Sequence, residues 1–335
     1  MSEGLKIVIP MGGYGTRLRP HTWSKPKPLI YLAGKTVLDY VLDQMMTLSH
    51  PDDVEYVFII GPQGDQIRAH MRRIHPEKNV EYAVQSEMRG QSHAIYQARN
   101  YLKGPLLLVF SDTLTEVDLS MLDHEQSDGI IWVKPVADPR RFGVVKVDTS
   151  GKVESLIEKP SDTSNNLAVV GFYYFKDAGQ LLSAIEEQMA QGIMLKNEYF
   201  LADAINILLG RGLNIRAEQV DVWLDAGTPD TLLDTNRYLL EKRHDNSAEF
   251  TGYPGVTVIP PVYIPKSVHL ENVVIGPNVS LGEECVLKNV IIRDSIVGEA
   301  SDISQILLEN SLIGREVKVH GQALSLNLGD ESSAT

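Results

Sequence analysis

Short apolar runs alternate with segments of helical periodicity through the first two thirds of the chain. Residues 6–9, 56–60, 80–84 and 106–110 are rich in aliphatic residues on consecutive positions, which is typical of strands buried on both faces. After the first run, Thr36 and Asp39 form a capping-box pattern ahead of apolar residues at helical spacing. This order predicts an α/β fold with a mostly parallel sheet, in which ligands bind at the carboxyl ends of the strands.

The middle of the chain is richer in strands. Four strand-like runs lie between residues 130 and 175, and helical patterns follow at about 178–189 and 200–209. A further helix is expected from residue 92 to about 101, and "VDVWLDAGT" then returns to a strand followed by a loop. We therefore assign residues 1–240 to one large domain.

A different pattern begins near residue 253, where apolar residues recur at intervals of six. Ile275, Leu281 and Leu287 follow this spacing, and Val279 and Cys285 lie four residues after the first two. Such a period is typical of a parallel β-helix, in which each side presents an aliphatic residue to a stacked core. The prediction is a β-helix over residues 253–328, a linker at 241–252 and a flexible tail at 329–335.

Composition narrows the class of protein. The chain has 335 residues with 44 acidic and 31 basic side chains, and its net charge of −13 argues against binding to nucleic acid. The one cysteine, Cys285, allows no intramolecular disulfide and favours a cytoplasmic setting. Neither a signal peptide nor an apolar stretch of the ~20 residues that span a membrane is recognised, so we expect a soluble cytoplasmic protein.

The segment "GGYGTR", residues 12–17, follows the first strand and is the first candidate for chemistry. It has the spacing of neither a Walker loop nor a dinucleotide-binding loop. Its glycines would let backbone N–H groups approach an anion, Arg17 adds a forked donor, and Lys27 adds a point charge between two prolines. On glycine and basic content alone, a phosphate loop and a solvated turn are about equally supported.

The longer stretch 12–29 resembles the nucleotide-sugar pyrophosphorylases, or sugar-1-phosphate nucleotidylyltransferases, whose pattern GGxGTRLxPxTxxxPKxL it matches without a gap. The resemblance continues over about residues 5–238 and is strongest to glucose-1-phosphate thymidylyltransferases of the long form. It implies a Rossmann-like domain followed by a left-handed β-helix. It also implies condensation of a nucleoside triphosphate, with dTTP or UTP favoured, and a hexose-1-phosphate, with glucose-1-phosphate favoured, to an NDP-sugar and pyrophosphate.

The resemblance also implies roles for individual residues on the nucleotide side. Mg²⁺ is the expected cofactor, with Asp112 in "LLLVFSDTL" and Asp225 in "WLDAGT" as its ligands, although the family more often has glycine in place of Ser111. Alone, either aspartate would more often cap a helix or form a turn. The catalytic residues implied are Arg17, Lys27 and Lys159. The nucleotide-binding residues implied are Gly12, Gly13, Gly15, Thr16, Arg17, Gln85 and Gly90.

The sugar-phosphate side rests on the segments "FGVV", "IEKP" and "NLAVVGFYYF". By resemblance, Glu158 accepts hydrogen bonds from sugar hydroxyls and Lys159 holds the phosphate. The remaining positions implied are Gly143, Val169 and Glu198, the last within a segment that departs from the family pattern. Without the other motifs, an exposed Glu-Lys-Pro would be read as a surface turn.

Other functions remain open from the sequence. One alternative is a GDP-mannose-type pyrophosphorylase, and a second is a regulatory homologue without turnover. A third is a bifunctional enzyme whose β-helix also transfers acyl groups, with His269 or His320 as the base. We favour a β-helix that serves assembly, so the expected partners are the two substrates and further copies of the same chain, with neither nucleic acid nor membrane.

Overall fold

The computed structural model describes residues 4–322, which divide into two compact units. The first unit comprises residues 4–30 and 36–228, and the second comprises residues 31–35 and 229–322. The predicted tail at 329–335 and the last predicted β-helix residues, 323–328, lie outside the described residues. Within the described part of the chain, no helix is both long and apolar enough to cross a bilayer.

The regular elements are numbered in chain order. The helices are α1 (Val37–Gln44), α2 (Gly64–Ile74), α3 (Gln91–Gln97), α4 (Ala178–Ala190), α5 (Leu201–Gly210) and α6 (Pro229–Leu239). The strands up to the end of the first unit are β1 (Lys6–Met11), β2 (Tyr31–Leu32), β3 (Lys35–Thr36), β4 (Glu55–Ile60), β5 (Val80–Val84), β6 (Leu106–Val109), β7 (Thr113–Thr115), β8 (Gly129–Pro135), β9 (Gly143–Val147), β10 (Val153–Glu158), β11 (Leu167–Phe175), β12 (Ile215–Gln219) and β13 (Trp223–Asp225). The later strands are β14 (Val256–Val258), β15 (Val262–Tyr263), β16 (His269–Ile275), β17 (Val279–Leu281), β18 (Val286–Arg293), β19 (Ile296–Val297), β20 (Asp302–Glu309), β21 (Leu312–Ile313) and β22 (Lys318–His320).

The predicted core strands form the parallel half of the main sheet, in the order β6-β1-β4-β5. Val8 of β1 lies between Val57 of β4 and Leu108 of β6, and all three are buried because the strands are covered on both faces. The chain runs from β1 to β4 and β5 on one side and then returns to place β6 on the other side of β1. The carboxyl ends of β1 and β6 therefore form a topological switch point, where α/β sheets bind ligands.

The rest of the sheet is mixed, so the prediction of a mostly parallel sheet was wrong for this half. β11 runs antiparallel to β6, β8 and β9, and β10 runs antiparallel to β9. The physical reason is visible between β9 and β10, where a turn at Gly151 (φ 85°) is too short for the crossover that a parallel pair requires. Strand-rich sequence without intervening helices returns by hairpins and not by crossovers.

Three of the four predicted helices, α1, α4 and α5, lie at their predicted positions and α3 is shorter than predicted, whereas α2 and α6 were not predicted. α1 begins at the predicted capping box, in which Thr36 and Asp39 bond each other's backbone N–H groups. α3 begins at Gln91 but ends at Gln97, earlier than the predicted residue 101, and the chain continues in tight turns. α4 and α5 bury apolar faces against the main sheet in a core cluster that includes Leu181, Ile205 and Leu208.

The second unit contains two parallel sheets, ordered β14-β16-β18-β20-β22 and β15-β17-β19-β21. Residues that pair across neighbouring strands lie 16 or 17 positions apart in the chain, as His269 with Val286 and Val286 with Asp302. The residues of the six-residue pattern form its core, since Ile275, Leu281, Leu287, Val279 and Cys285 are fully buried. Because neither 16 nor 17 is a multiple of six, the six-residue period is interrupted with each new strand layer.

Polar residues with left-handed backbone lie within three of these strands, β16, β18 and β20, and mark a corner in each. Asn272, Asn289 and Gln305 all have φ near 53° and occupy equivalent positions in successive layers. Asparagine tolerates this conformation better than most residues with a Cβ. The side-chain amide of Asn272 also donates to Asn289 Oδ1 at 3.2 Å, so part of the corner is hydrogen-bonded from layer to layer.

Candidate active site

A cavity of about 310 Å³ opens in the first unit at the switch point between β1 and β6. Its floor includes Met11 at the end of β1 and Ser111 just beyond β6, and its walls include Gly13, Arg17 and Lys27. Gly15, Thr16, Gln91, Asp112 and Gly227 also line it. The motifs that the sequence placed after different strands therefore face one space.

The glycine-rich loop holds its shape through Gly15 and Thr22. Gly15 adopts φ 59°, and a Cβ there would lie 2.9 Å from Thr22 Cγ2, so a side chain would be strained and crowded. The Thr22 hydroxyl donates to the Gly15 carbonyl at 2.8 Å, and one 3-10 turn, Thr16–Leu18, follows. Leu18 is buried beneath that turn, which leaves Arg17 exposed at the cavity.

The basic residues of the loop have different surroundings. Lys27 Nζ forms an ion pair with Asp112 Oδ2, and its side chain is 16% exposed. Arg17 lines the same cavity, whereas Arg19 lines a neighbouring cavity of about 200 Å³ together with Trp23 and Gln63. The geometry therefore separates Arg17 and Lys27 from Arg19.

Asp112 and Asp225 are brought together by the pairing of β7 with β13. Asp225 pairs with Thr113, and the N–H of Ala226 donates to the Asp112 carbonyl at 3.0 Å. Burial, followed by the negative charge of Asp112, raises the pKa of Asp225, and the positive charges of Lys27, Arg17 and Arg141 oppose this rise. Two carboxylates that repel each other in a partly buried site are a suitable oxygen donor set for a hard divalent cation.

Gln85 and Gly90, the residues implied for the base, lie next to Gly12 of the glycine-rich loop. Gln85 is 5% exposed and donates through its amide to the Gly90 carbonyl at 3.3 Å. A Cβ on Gly12 would lie 2.9 Å from Gln85 Oε1, so the glycine leaves this side chain room next to the loop. Gly90 has φ 96°, and a Cβ there would lie 2.5 Å from the Tyr199 carbonyl oxygen. Glycine is therefore required at Gly90 both for its backbone angle and for close packing.

On the sugar-phosphate side, Gly143, Glu158 and Val169 form one group. Gly143 pairs with Glu158 across β9 and β10, and a Cβ on Gly143 would lie 3.1 Å from Glu158 Oε2 and 3.9 Å from Val169 Cγ2. The absence of a side chain at Gly143 thus leaves space above the carboxylate. Lys159 Nζ lies 3.7 Å from Glu158 Oε1 and 4.5 Å from the centre of the Phe200 ring.

Burial disfavours the ionised form of Glu158, and nearby acidic residues disfavour it further. Burial raises the pKa of Glu158, Lys159 counteracts that rise, and Asp203 and Glu198 add to it. Glu198 is exposed and pairs with Leu195 through the backbone, so it contributes to the local charge more than to packing. The N–H of Tyr199, the next residue, donates to the Arg89 carbonyl at 2.8 Å and thereby joins this segment to the Gly90 loop.

Sequence reasoning missed several residues at the site. Arg141, two residues before Gly143, opposes the rise in the pKa of Asp225 through its positive charge. Its neighbour Phe142 packs against Trp223, with 4.9 Å between the ring centres. Asp203 and Phe200 approach Glu158 and Lys159 from the start of α5. The two consecutive arginines before "FGVV" could have indicated that Arg141 belongs to the site. For Asp203, in the first turn of α5, the sequence contains no comparable indication.

Comparison with known proteins gives consistent matches. Residues 6–242 match the family Nucleotidyl transferase. Glucose-1-phosphate thymidylyltransferase of Streptomyces griseus is 29% identical, over 98% of this chain and 99% of that protein. UTP--glucose-1-phosphate uridylyltransferase AglF of Haloferax volcanii is 28% identical, over 71% of this chain and 98% of that protein.

A solved structure of a UDP-glucose pyrophosphorylase complexed with UDP-glucose superposes with a TM-score of 0.63 at 21% identity, and covers 72% of this chain and 100% of that one. At that identity the likeness supports the Rossmann-like nucleotidyltransferase fold. The family match, in contrast, extends over well more than half of the chain and contains the glycine-rich loop, both aspartates and the Glu158 group. The chain therefore belongs to the nucleotidyl transferase family, as its resemblance to the nucleotide-sugar pyrophosphorylases implied.

Proposed function

We propose that the chain condenses a nucleoside triphosphate with a hexose-1-phosphate and releases an NDP-sugar and pyrophosphate. The observation that carries the proposal is the cavity at the switch point, which Arg17, Lys27 and Asp112 line, with Asp225 close enough for its carboxylate to respond to the charges of all three. Relatives named for thymidylyl and uridylyl transfer to glucose-1-phosphate support dTTP or UTP, and glucose-1-phosphate, as the substrates.

The triphosphate half of the site consists of the glycine-rich loop and its two cations. Gly13 and Gly15 line the cavity without side chains, so backbone N–H groups can approach phosphate oxygens. Arg17 offers a planar pair of donors and Lys27 a compact charge. Together they neutralise negative charge that accumulates on the β and γ phosphates as pyrophosphate leaves.

The acceptor half consists of the group around Glu158. The Glu158 carboxylate accepts hydrogen bonds from sugar hydroxyls in the space left by Gly143, and Val169 forms the apolar edge. Lys159 binds the phosphate of the sugar-1-phosphate and aims its oxygen at the α phosphorus. No covalent enzyme intermediate is required, because alignment of the two reactants and charge neutralisation supply the catalysis.

Asp112 and Asp225 would hold Mg²⁺, which would supply positive charge to neutralise the phosphates. The donor set fits this ion, since both groups are carboxylates and the pair repels when no cation lies between them. In the described structure the Lys27 ammonium provides part of that positive charge through its ion pair with Asp112.

The base contacts are assigned to Gln85 and Gly90, which offer an amide side chain and backbone polar groups at one edge of the loop. These groups can pair with the edge of thymine or uracil. One alternative is a GDP-mannose-type pyrophosphorylase, which would use a purine nucleotide and mannose-1-phosphate. A second alternative is a regulatory homologue without turnover.

For the second unit we propose a left-handed β-helix that supports assembly of several copies of the chain. The support is its pair of parallel sheets, its buried aliphatic core and the regular stacking of its strands. His269 and His320, the candidate bases for acyl transfer, are exposed, and His320 hydrogen-bonds Ser304 at 2.6 Å. The exposed surroundings of both histidines favour a role of this unit in assembly over acyl transfer.

The function is tested with purified full-length protein and Mg²⁺, by measuring pyrophosphate release for dTTP, UTP, GTP and ATP against glucose-1-phosphate and mannose-1-phosphate. We expect the highest kcat/KM for dTTP or UTP with glucose-1-phosphate and no release when the sugar phosphate is omitted. Preference for GTP with mannose-1-phosphate would establish the alternative. Absence of release with every pair, from folded protein, would favour the regulatory homologue.

The role of Glu158 predicts a pH-dependent loss of acceptor binding. In the wild type, kcat/KM for the sugar phosphate should fall with decreasing pH as Glu158, whose pKa is raised by burial, becomes protonated and loses acceptor capacity. Glu158→Gln should lower kcat/KM by about 10–100-fold at neutral pH, the range expected for hydrogen bonds to a charged group, and should lack this pH step. Glu154→Gln, on the exposed face of the same strand, is the matched control.

Unfolding measurements check the same side chain independently of catalysis. A carboxyl group whose pKa is raised on folding destabilises the native state above that pKa, and the penalty disappears below its unfolded pKa of about 4.3. Glu158→Gln should therefore unfold at higher urea concentration than the wild type at neutral pH, with the difference vanishing below about pH 4. Parallel pH profiles for wild type and variant, in both kinetics and unfolding, would contradict the assignment.

A further inference from the structure

A second cluster of potential metal ligands lies in the first unit, in residues that the proposed reaction does not use. Asp39 stands in the first turn of α1, His70 lies on α2, and His75 directly follows α2. The Nε2 atoms of His70 and His75 lie 2.7 and 2.8 Å from the same oxygen, Asp39 Oδ1. One potential ligand atom from each of the three residues lies within 4.8 Å of those of the other two.

The cluster is mostly enclosed but retains a route to solvent. The side chains of His70, Asp39 and His75 are 8%, 11% and 16% exposed. Buried polar groups of this kind are retained only when their hydrogen-bonding capacity is used. His75 is the most accessible of the three, so an ion and a water molecule can reach the cluster from its side.

Neighbouring groups orient the three side chains from outside. The second oxygen of Asp39, Oδ2, accepts hydrogen bonds from the backbone N–H of Thr36 at 2.9 Å and from its hydroxyl at 2.7 Å. Oδ1 is thereby turned towards the two imidazoles. His75 Nδ1 lies 3.8 Å from Glu77 Oε1, so the ring has a carboxylate beside its other nitrogen. Metal-binding histidines and carboxylates commonly have such outer partners.

We propose that Asp39, His70 and His75 bind one divalent transition-metal ion of the zinc class, through the Asp39 carboxylate and the two Nε2 atoms. Two imidazoles with one carboxylate favour Zn²⁺ and similar ions over Mg²⁺. In a tetrahedral zinc site with bonds of about 2.0–2.1 Å, ligand atoms lie about 3.3 Å apart. Each Nε2 atom, now 2.7 or 2.8 Å from Asp39 Oδ1, needs to move about 0.5–0.6 Å further from it, and water supplies the fourth ligand.

The site would join α1 to the end of α2. The start of α2 in turn is hydrogen-bonded to residues 23 and 24, which follow the glycine-rich loop. The Gln66 side chain donates to the Ser24 carbonyl at 2.9 Å, and the Gln63 side chain donates to the Trp23 carbonyl at 3.0 Å. An ion bound at the cluster therefore stabilises the packing beneath this segment without touching the proposed substrates. Binding of an ion at this cluster does not depend on the proposed reaction.

The test uses full-length protein stripped of metal with a chelator and titrated calorimetrically with Zn²⁺ in the absence of nucleotide. We expect one equivalent to bind at the cluster and to raise Tm. His75→Gln should weaken this binding by more than about 100-fold, because it removes one of the three protein ligands. His70→Gln repeats the test from the more buried ligand.

Two controls separate this cluster from other zinc-binding groups. His50→Gln removes an exposed histidine outside the cluster and should leave the affinity unchanged. The double variant Asp112→Asn with Asp225→Asn removes the carboxylate pair of the cavity and should still bind one equivalent of Zn²⁺. Binding that disappears in this double variant, or that has the same Kd in His75→Gln as in the wild type, would overturn the proposal, as would the absence of any bound equivalent.

Discussion

Replacing Lys27 by methionine should lower kcat/KM for pyrophosphate release by about 10³-fold, the scale on which loss of a single charge-stabilising donor reduces catalysis of this type. Lys27 lies between the glycine-rich loop and the aspartates, so its ammonium can contact both the phosphates and Asp112. Methionine retains most of the aliphatic stem and its packing but removes the charge. We therefore expect the defect in catalysis and not in folding.

The folded state should tolerate this change because the ion pair is partly exposed. The Asp112 side chain is 33% exposed, so water can solvate it after Lys27 is lost, and the cost to the free energy of unfolding should remain within about 1 kcal/mol. Circular dichroism and urea unfolding check this expectation. Lys27→Arg should not restore full activity, since a planar guanidinium does not replace a compact ammonium in this position.

Arg19→Met provides the matched control, because it removes a charge from the same loop but from the neighbouring cavity. Its kcat/KM should stay within about threefold of the wild type, as expected for a solvated surface charge. Equal losses in Arg19→Met and Lys27→Met would mean that the loop acts through its total charge, and would contradict the specific role of Lys27. Wild-type activity in Lys27→Met would remove Lys27 from the catalytic residues.

The nucleotide side of the site was predictable because it follows continuous apolar strands. Such strands belong in the buried centre of a sheet, and loops after neighbouring parallel strands must meet at the same edge. Because β1 and β6 are neighbours in the structure, this rule brings residues 12–17, after β1, close to Asp112, after β6. The assignment of each residue to phosphate, base or metal came instead from the resemblance.

The sugar side was less predictable, because its residues come together through antiparallel pairing and helix packing. Register decides which residue faces Glu158, and one position of slippage would turn Gly143 away from it. Arg141 and Asp203 reach the site from a turn and a helix start, whose directions local sequence does not specify. The pairing interval of 16 or 17 residues in the second unit was hidden for a similar reason, since the six-residue pattern is restarted at the left-handed corners.

Asp225→Asn should have opposite effects on activity and stability. The change should reduce kcat by at least about 10²-fold, because one of two oxygen ligands for the proposed Mg²⁺ is lost and transition-state charge is less well neutralised. In metal-free protein it should raise Tm, because the amide is nearly isosteric with the carboxylate and is not repelled by Asp112. Asp112→Asn is the informative comparison, since it relieves the same repulsion but also removes the ion pair with Lys27.

Thermal unfolding with dTTP alone and with dTTP plus Mg²⁺ separates metal binding from nucleotide binding. A ligand that binds only the native state raises Tm according to its affinity, so Mg²⁺ should add a further increase in the wild type and little in Asp225→Asn. With Mg²⁺ present, the higher Tm that Asp225→Asn has in metal-free buffer should approach or fall below the Tm of the wild type. If Mg²⁺ shifts both proteins equally, the ion is held by the phosphates and not by Asp225. If Asp225→Asn is less stable without metal, repulsion from Asp112 does not dominate the energy of the Asp225 carboxylate, and the carboxylate pair is not the source of strain that its burial implies.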